Sequence, residues 1–225
     1  MLTPQQILEQ IHSAIGYLVD VGLSSDQNSP FIRRVAADAV EVTFQGAEHV
    51  SASMRDRAYR EVYEILSLER AFSARLPDGA LIQLMYLFRR NRIERHRLAF
   101  FPSPNLEEFQ NSPDVYLEDV NYADVVARSI VPFPLRFDFD RRDSIFRAVD
   151  HPRSHLTLGQ YEHCRIPVTA PLTPYWFVSF VLRNFYHTAF RQYVNRLPVF
   201  SDVFTETIDP DERNVVYVHI PVGAG

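Results

Sequence analysis

Lysine is absent from this chain, and cysteine and glycine are scarce: one Cys, at position 164, and seven Gly in 225 residues. A single thiol excludes an internal disulfide and any cysteine-rich zinc site, and it fits a reducing compartment. With so few glycines, neither the dinucleotide-binding glycine fingerprint nor a P-loop occurs, which argues against both kinds of nucleotide site. There is no G-x-S-x-G elbow and no H-E-x-x-H zinc motif. Long apolar runs are missing too. The strongest, "WFVSFVL" (Trp176 to Leu182), is too short to span a bilayer and is followed by Arg183. The start, "MLTPQQILEQ", lacks the basic region and apolar stretch of a secretory signal. These absences point to a soluble cytoplasmic protein with no membrane role.

All 23 strong cations are arginine. Codon usage in a GC-rich genome explains this most simply. Arginine kept for planar, bidentate contacts to phosphate or carboxylate is the sharper reading, and avoidance of lysine modification is a third. The net charge of −5 gives no global basic field that would draw the chain onto nucleic acid.

At 46% hydrophobic, the sequence can bury a substantial core, and its length fits a single domain over residues 1–225. Thr3, Pro4 and Gln6 form a capping box ahead of Ile7, Ile11, Ala14, Ile15 and Leu18, which recur at helical spacing. "AVEVTF" alternates like a strand. "SASMRDRAYREVYEILSLE" reads as a helix with Met54, Ala58, Val62 and Ile65 on one side. "AFSARL" and "ALIQLMYLF" flank Pro77-Asp78-Gly79, a hairpin turn in which proline presets φ and Gly79 supplies a positive one. "RLAFFPSP" returns as a strand, with "RRNRIERHR" as the tip. Residues 105–125 are acidic and read as loop and short helix. "FPLRFDFD", "RSHLTLG" and "CRIPV" are further strands. "TPYWFVSFVLRNFYHTAFRQYV" reads as one buried helix, and "NVVYVHIPV" as a closing strand. Meandering strands between two or three helices predict an α+β fold with a mostly antiparallel sheet.

The chemistry concentrates in "RFDFDRRDSIFRAVDHPRSHLTLG", residues 136–159. Alternation places Arg136, Asp138 and Asp140 on one face of their strand. His151, Arg153, His155 and Thr157 share a face of the next. If the two strands pair, these polar faces meet, with Arg165 and His163 on a neighbour. Asp138, Asp140, His151 and His155 can then hold a divalent metal that activates water. Without metal, one histidine can be general base and the other general acid, while Arg136, Arg153 and Arg165 bind phosphate. The plainer alternative is a sheet face laced by cross-strand ion pairs. Arg89, Arg90, Arg92, Arg95 and Arg97, with His96, form a local basic cluster that could grip a nucleic-acid backbone. No aromatics interleave with them, which favours a solvated tip or pairing with the acidic segment. On a strand, His163 and Arg165 face away from Cys164, which argues against a nucleophilic thiol. Arg183 and His187 read as satisfied polar groups of the buried helix.

Taken together, "DGALIQLMY", "RLAFFPSP", "RFDFD", "HPRSH", "CRIPV" and "NFYHTAF" resemble an uncharacterised bacterial family, domain of unknown function 2290, over about Tyr59 to Tyr193. The resemblance implies a bacterial, cytosolic, single-domain protein and supplies no catalytic roles. Such families often sit among mobile or phage-defence genes. Residues 136–155 also bear a looser likeness to small toxins of toxin–antitoxin pairs. Two functions are therefore carried forward. One is a toxin-like or phage-defence accessory protein acting on nucleic acid or a phosphate ester. The other is a non-catalytic module that docks a protein partner from the same operon. A small-ligand sensor is a third. The oligomeric state is not legible.

Overall fold

The computed structural model describes residues 2–49, 57–104, 133–161 and 163–222. Helix α1 (Pro4–Asp20) begins as the capping box requires. The Gln6 N–H donates to the Thr3 hydroxyl at 3.3 Å, and the Thr3 N–H donates to Gln6 Oε1 at 2.9 Å. Its buried face carries Ile7, Ile11, Ala14, Ile15 and Leu18. Strands β1 (Asp26–Gln27), β2 (Phe31–Ala36) and β3 (Ala39–Thr43) follow, then α2 (Tyr59–Leu68). Helix α2 buries Val62, Tyr63 and Leu66, so its inner side is not the expected one through Ile65. Met54 lies outside the described residues.

Strands β4 (Ala74–Arg75) and β5 (Leu81–Arg89) enclose the Pro77-Asp78-Gly79 turn. Gly79 has φ +87°, and a Cβ there would come within 3.0 Å of the Tyr63 hydroxyl. Only glycine therefore fits both the backbone and the space. Strand β6 (Arg92–Phe101) is longer than the sequence suggests. The turn is only Arg90-Asn91, with φ of 51° and 60°. Two consecutive positive φ values make a tight hairpin, and non-glycine residues mask it in the sequence. "RRNRIERHR" is thus mostly strand, and its arginines are divided between faces and edges.

Strands β7 (Leu135–Asp140), β8 (Ser154–Leu158) and β9 (Ile166–Pro167) complete an open sheet. Its order is β1-β4-β5-β6-β7-β8-β9, with β3 on β5 beside β4 and β2 outside β3. Every pairing among the described strands is antiparallel, so the chain is α+β, as expected. Strand β9 is short, and the Val168 N–H just beyond it still donates to the Ser154 carbonyl of β8 at 2.9 Å. "NVVYVHIPV" contributes only an isolated parallel bridge between Val168 and Val218, not the expected strand. The last long helix breaks in two, α3 (Pro174–Phe185) and α4 (His187–Tyr193). Tyr186 leaves helical geometry at φ −134°, ψ 50°, and its hydroxyl donates to Asp78 Oδ2 at 2.7 Å. That bond ties the break to the β4–β5 turn. Arg183 and His187 are exposed rather than buried.

The two sheet faces differ. One packs Leu84, Tyr86, Phe88, Leu98, Phe137 and Phe139 against α1 and α3. Among the described residues the other is covered at one end, where Leu81, Ala99 and Phe101 meet Val62, Tyr63 and Leu66 of α2. Beyond that end, β6, β7 and β8 present polar side chains. The acidic stretch 105–125 lies outside the described residues.

Candidate functional site

Strand register builds the site. Arg97, Asp138 and His155 stand directly opposite one another across β6, β7 and β8. One pleat along, Arg136 faces Thr157; one pleat the other way, Arg95 faces Asp140. These groups occupy the part of the face that α2 leaves uncovered. They line a cavity of about 550 Å³, which also takes in His151, Arg142, Cys164 and Arg165. The pairing of the two polar strands, which the sequence left as a condition, is what the chain adopts.

Asp138 sits at the centre. Its Oδ1 is 3.5 Å from Arg97 Nε, and its Oδ2 is 3.7 Å from Arg136 Nε and 4.0 Å from His155 Nε2. These are ion-pair separations beyond hydrogen-bond length. Burial alone would raise the Asp138 carboxyl. Arg136 and Arg97, helped by the two nearby histidines, outweigh it and hold the carboxyl below its ordinary range. The group is an anion whose lone pairs face the cavity.

His155 is complementary. Its Nδ1 lies 2.9 Å from the Pro152 carbonyl oxygen. A carbonyl can only accept, so Nδ1 carries the proton and Nε2 keeps its lone pair. Burial lowers the imidazole below its ordinary value; the Asp138 charge opposes this, while Arg165 and Arg136 add to it. His151 packs against it edge to face, with ring centroids 5.4 Å apart, and is lowered by its own burial and by Arg165 and His155. Both rings are neutral at pH 7. Arg136 is itself lowered by burial and by Arg97 and Arg165, with Asp138 opposing. The cavity wall thus sets five guanidinium groups (Arg95, Arg97, Arg136, Arg142, Arg165) against three carboxylates (Glu41, Asp138, Asp140). That is a local positive surplus in a chain of net charge −5.

Some sequence candidates have other roles. Arg142 grips Asp140 through Nε at 2.9 Å and Nη2 at 2.6 Å, and Asp140 stays below its ordinary value despite partial burial. Among the described residues no three His, Cys, Asp or Glu side chains converge as a metal cluster. Asp138, Asp140, His151 and His155 line one cavity without forming the expected ligand set, because Asp140 is turned to Arg142. Arg153 does not face the cavity. It donates to the Arg141 carbonyl and Asp143, each at 2.6 Å, and stacks 4.5 Å over Phe146. Arg89 binds Asp38 and Glu94, and Arg90 binds Asp38, so two arginines of the basic cluster are already paired in place. Arg92 is exposed at the turn and does not line the cavity. His163 does not line it either. Cys164 Sγ accepts the Leu158 N–H at 3.4 Å. Arg142 was missed as a site residue, and Arg97 was grouped with the basic hairpin rather than with the polar face. Alternation of Arg95, Arg97 and Ala99 would have revealed Arg97 had the strand been started at Arg92.

The match to a family model runs from residue 23 to residue 220. This chain belongs to DUF2290, a family described as uncharacterized conserved proteins. The match extends the resemblance beyond Tyr59 to Tyr193 in both directions. No curated protein and no solved structure is significantly similar. What a DUF2290 chain does is therefore argued from the cavity. No helix among the described residues is long and apolar enough to cross a membrane.

Proposed function

We propose that this DUF2290 protein binds a phosphate ester in the arginine-lined cavity and promotes attack on it by a hydroxyl or water. One observation carries the reading. Two acceptors, His155 Nε2 and Asp138 Oδ2, face each other 4.0 Å apart beside Arg97 and Arg136. A water set to one side of the pair can donate one hydrogen to each, and a hydroxyl can donate to His155 Nε2; a metal is not needed to activate either. The donor's proton passes to His155 Nε2, its oxygen bonds to phosphorus, and the P–O bond to the leaving group breaks. The proton returns from His155 to the leaving oxygen, directly or through His151. Asp138 stabilises the transient imidazolium, and the guanidinium groups take the charge developing on the phosphoryl oxygens. Chemistry of this kind on nucleic acid or a nucleotide would serve a toxin-like or phage-defence accessory role in a bacterial cytoplasm; that setting rests on the resemblance of the motifs.

The rival is an interaction module docked through Arg92 and Arg95. A partner there would have to compete with the ion pairs that already hold the neighbouring Arg89 and Arg90. The discriminating assay is turnover of a panel of phosphate mono- and diesters in the presence of a chelator. The wild type turns over at least one, and His155→Ala, folded by circular dichroism, loses at least a hundredfold. Full activity in that variant would sink the proposal, and loss of a complex on charge reversal at Arg92 and Arg95 would favour the rival.

A further inference from the structure

A second recess, of about 300 Å³, opens beside the arginine cavity and shares Gly159, Gln160 and Tyr161 with it. Its character is different. Tyr59, Phe133 and Tyr161 supply aromatic walls. Tyr161 is 76% exposed and Phe133 46%. The backbone holds them there. Gly159 has φ +64°, and its N–H donates to the Pro134 carbonyl at 2.7 Å, which brings Phe133 to the end of β8. The Tyr161 ring lies against Gly159, where a Cβ would meet ring carbons at 3.3 and 3.4 Å. Gln160 Nε2 donates to the Arg57 carbonyl at 3.0 Å, which leaves its Oε1 as a fixed acceptor at the mouth.

We infer that this recess is a nucleobase subsite and that the phosphate ester bound next door is a nucleotide. The inference rests on the phosphate reading of the arginine cavity and names its substrate class. Three features support it. Exposed aromatic faces beside a cationic groove are what base stacking with phosphate contact requires. Gly159, Gln160 and Tyr161 line both the arginine cavity and the recess, so the two are contiguous and one small ligand can reach both. Gln160 Oε1 can accept from the exocyclic amine of adenine, cytosine or guanine, so bases carrying one fit best.

The test uses the full chain and calorimetric titration with three probes in the presence of a chelator: AMP, ribose 5-phosphate and inorganic phosphate. The wild type binds AMP at least about tenfold more tightly than ribose 5-phosphate, the range for one base on one aromatic ring. Phe133→Ala abolishes that difference and leaves ribose 5-phosphate affinity as it was, because Phe133 lines the recess and not the arginine cavity. Its ring is half-exposed, so the variant folds. If all three probes bind but AMP gains nothing, or Phe133→Ala keeps the gain, the base subsite is overturned while the phosphate site stands. If none binds, both fall. A short single-stranded oligonucleotide separates the sources: tighter binding than AMP assigns the subsite to a strand, equal binding to a free nucleotide.

Discussion

At the residue scale, function turns on which atoms are already committed. His155 is fixed by the Pro152 carbonyl, so its other nitrogen is the reactive one. Asp138 is ionised because two arginines outweigh its burial. Alternation alone was enough to place both on one face. It could not show that Asp140 would be claimed by Arg142, or that Arg153 would fold back onto its own loop, because both depend on the path of residues 141–153 in space. His96 makes a separate point. It faces the opposite, apolar side of the sheet, where the Leu172 N–H donates to its Nε2 at 3.1 Å. Burial pulls its value from 6.5 down to about 4. The unfolded chain binds a proton at this residue between those values and the folded chain does not. Stability is therefore full above pH 6.5 and falls as pH drops toward 4, by about 3 kcal/mol from this residue alone. His155 and His151 are shifted in the same direction. Melting curves between pH 7 and 4.5 should fall accordingly, and His96→Phe should flatten the slope. A slope unchanged in that variant would contradict the assignment.

At the scale of elements, legibility followed periodicity. Strand β7 and helix α1 were readable because one side of each is buried and its pattern repeats. Strand β2 was not: all six of its residues are exposed, so no alternation marks it, and Arg33 meets Glu41 of β3 at 2.6 Å instead. The break at Tyr186 was invisible because it answers to Asp78, more than a hundred residues away. The β5–β6 turn was hidden by its composition. Arg90 and Asn91 occupy positive-φ positions that Asn-Gly fills with less strain. Replacing Arg90→Asn together with Asn91→Gly should raise stability by about 0.5–1 kcal/mol, read as a rise of roughly 2–4 °C in Tm per kcal/mol. The lost Arg90–Asp38 pair is exposed and worth little against that gain. A lower Tm would mean the turn does not have the geometry described.

At the scale of the molecule, one asymmetry explains the site. Helices α1 and α3 cover one sheet face, while α2 covers only one end of the other. What remains is a polar concavity on a rigid floor, with positive charge gathered inside an acidic chain. No single segment of sequence contains that contrast. Its arginines come from β6, β7 and the stretches that follow β7 and precede β9, and only the sheet order brings them together. The measurement that tests this account most directly is calorimetric titration of the chelator-treated protein with inorganic phosphate. The account predicts one site that weakens as salt is raised, is lost in Arg136→Ala, and is unchanged in Arg89→Ala, whose guanidinium is held by Asp38 and Glu94 away from the cavity. No binding by the wild type, or equal loss in both variants, would contradict it.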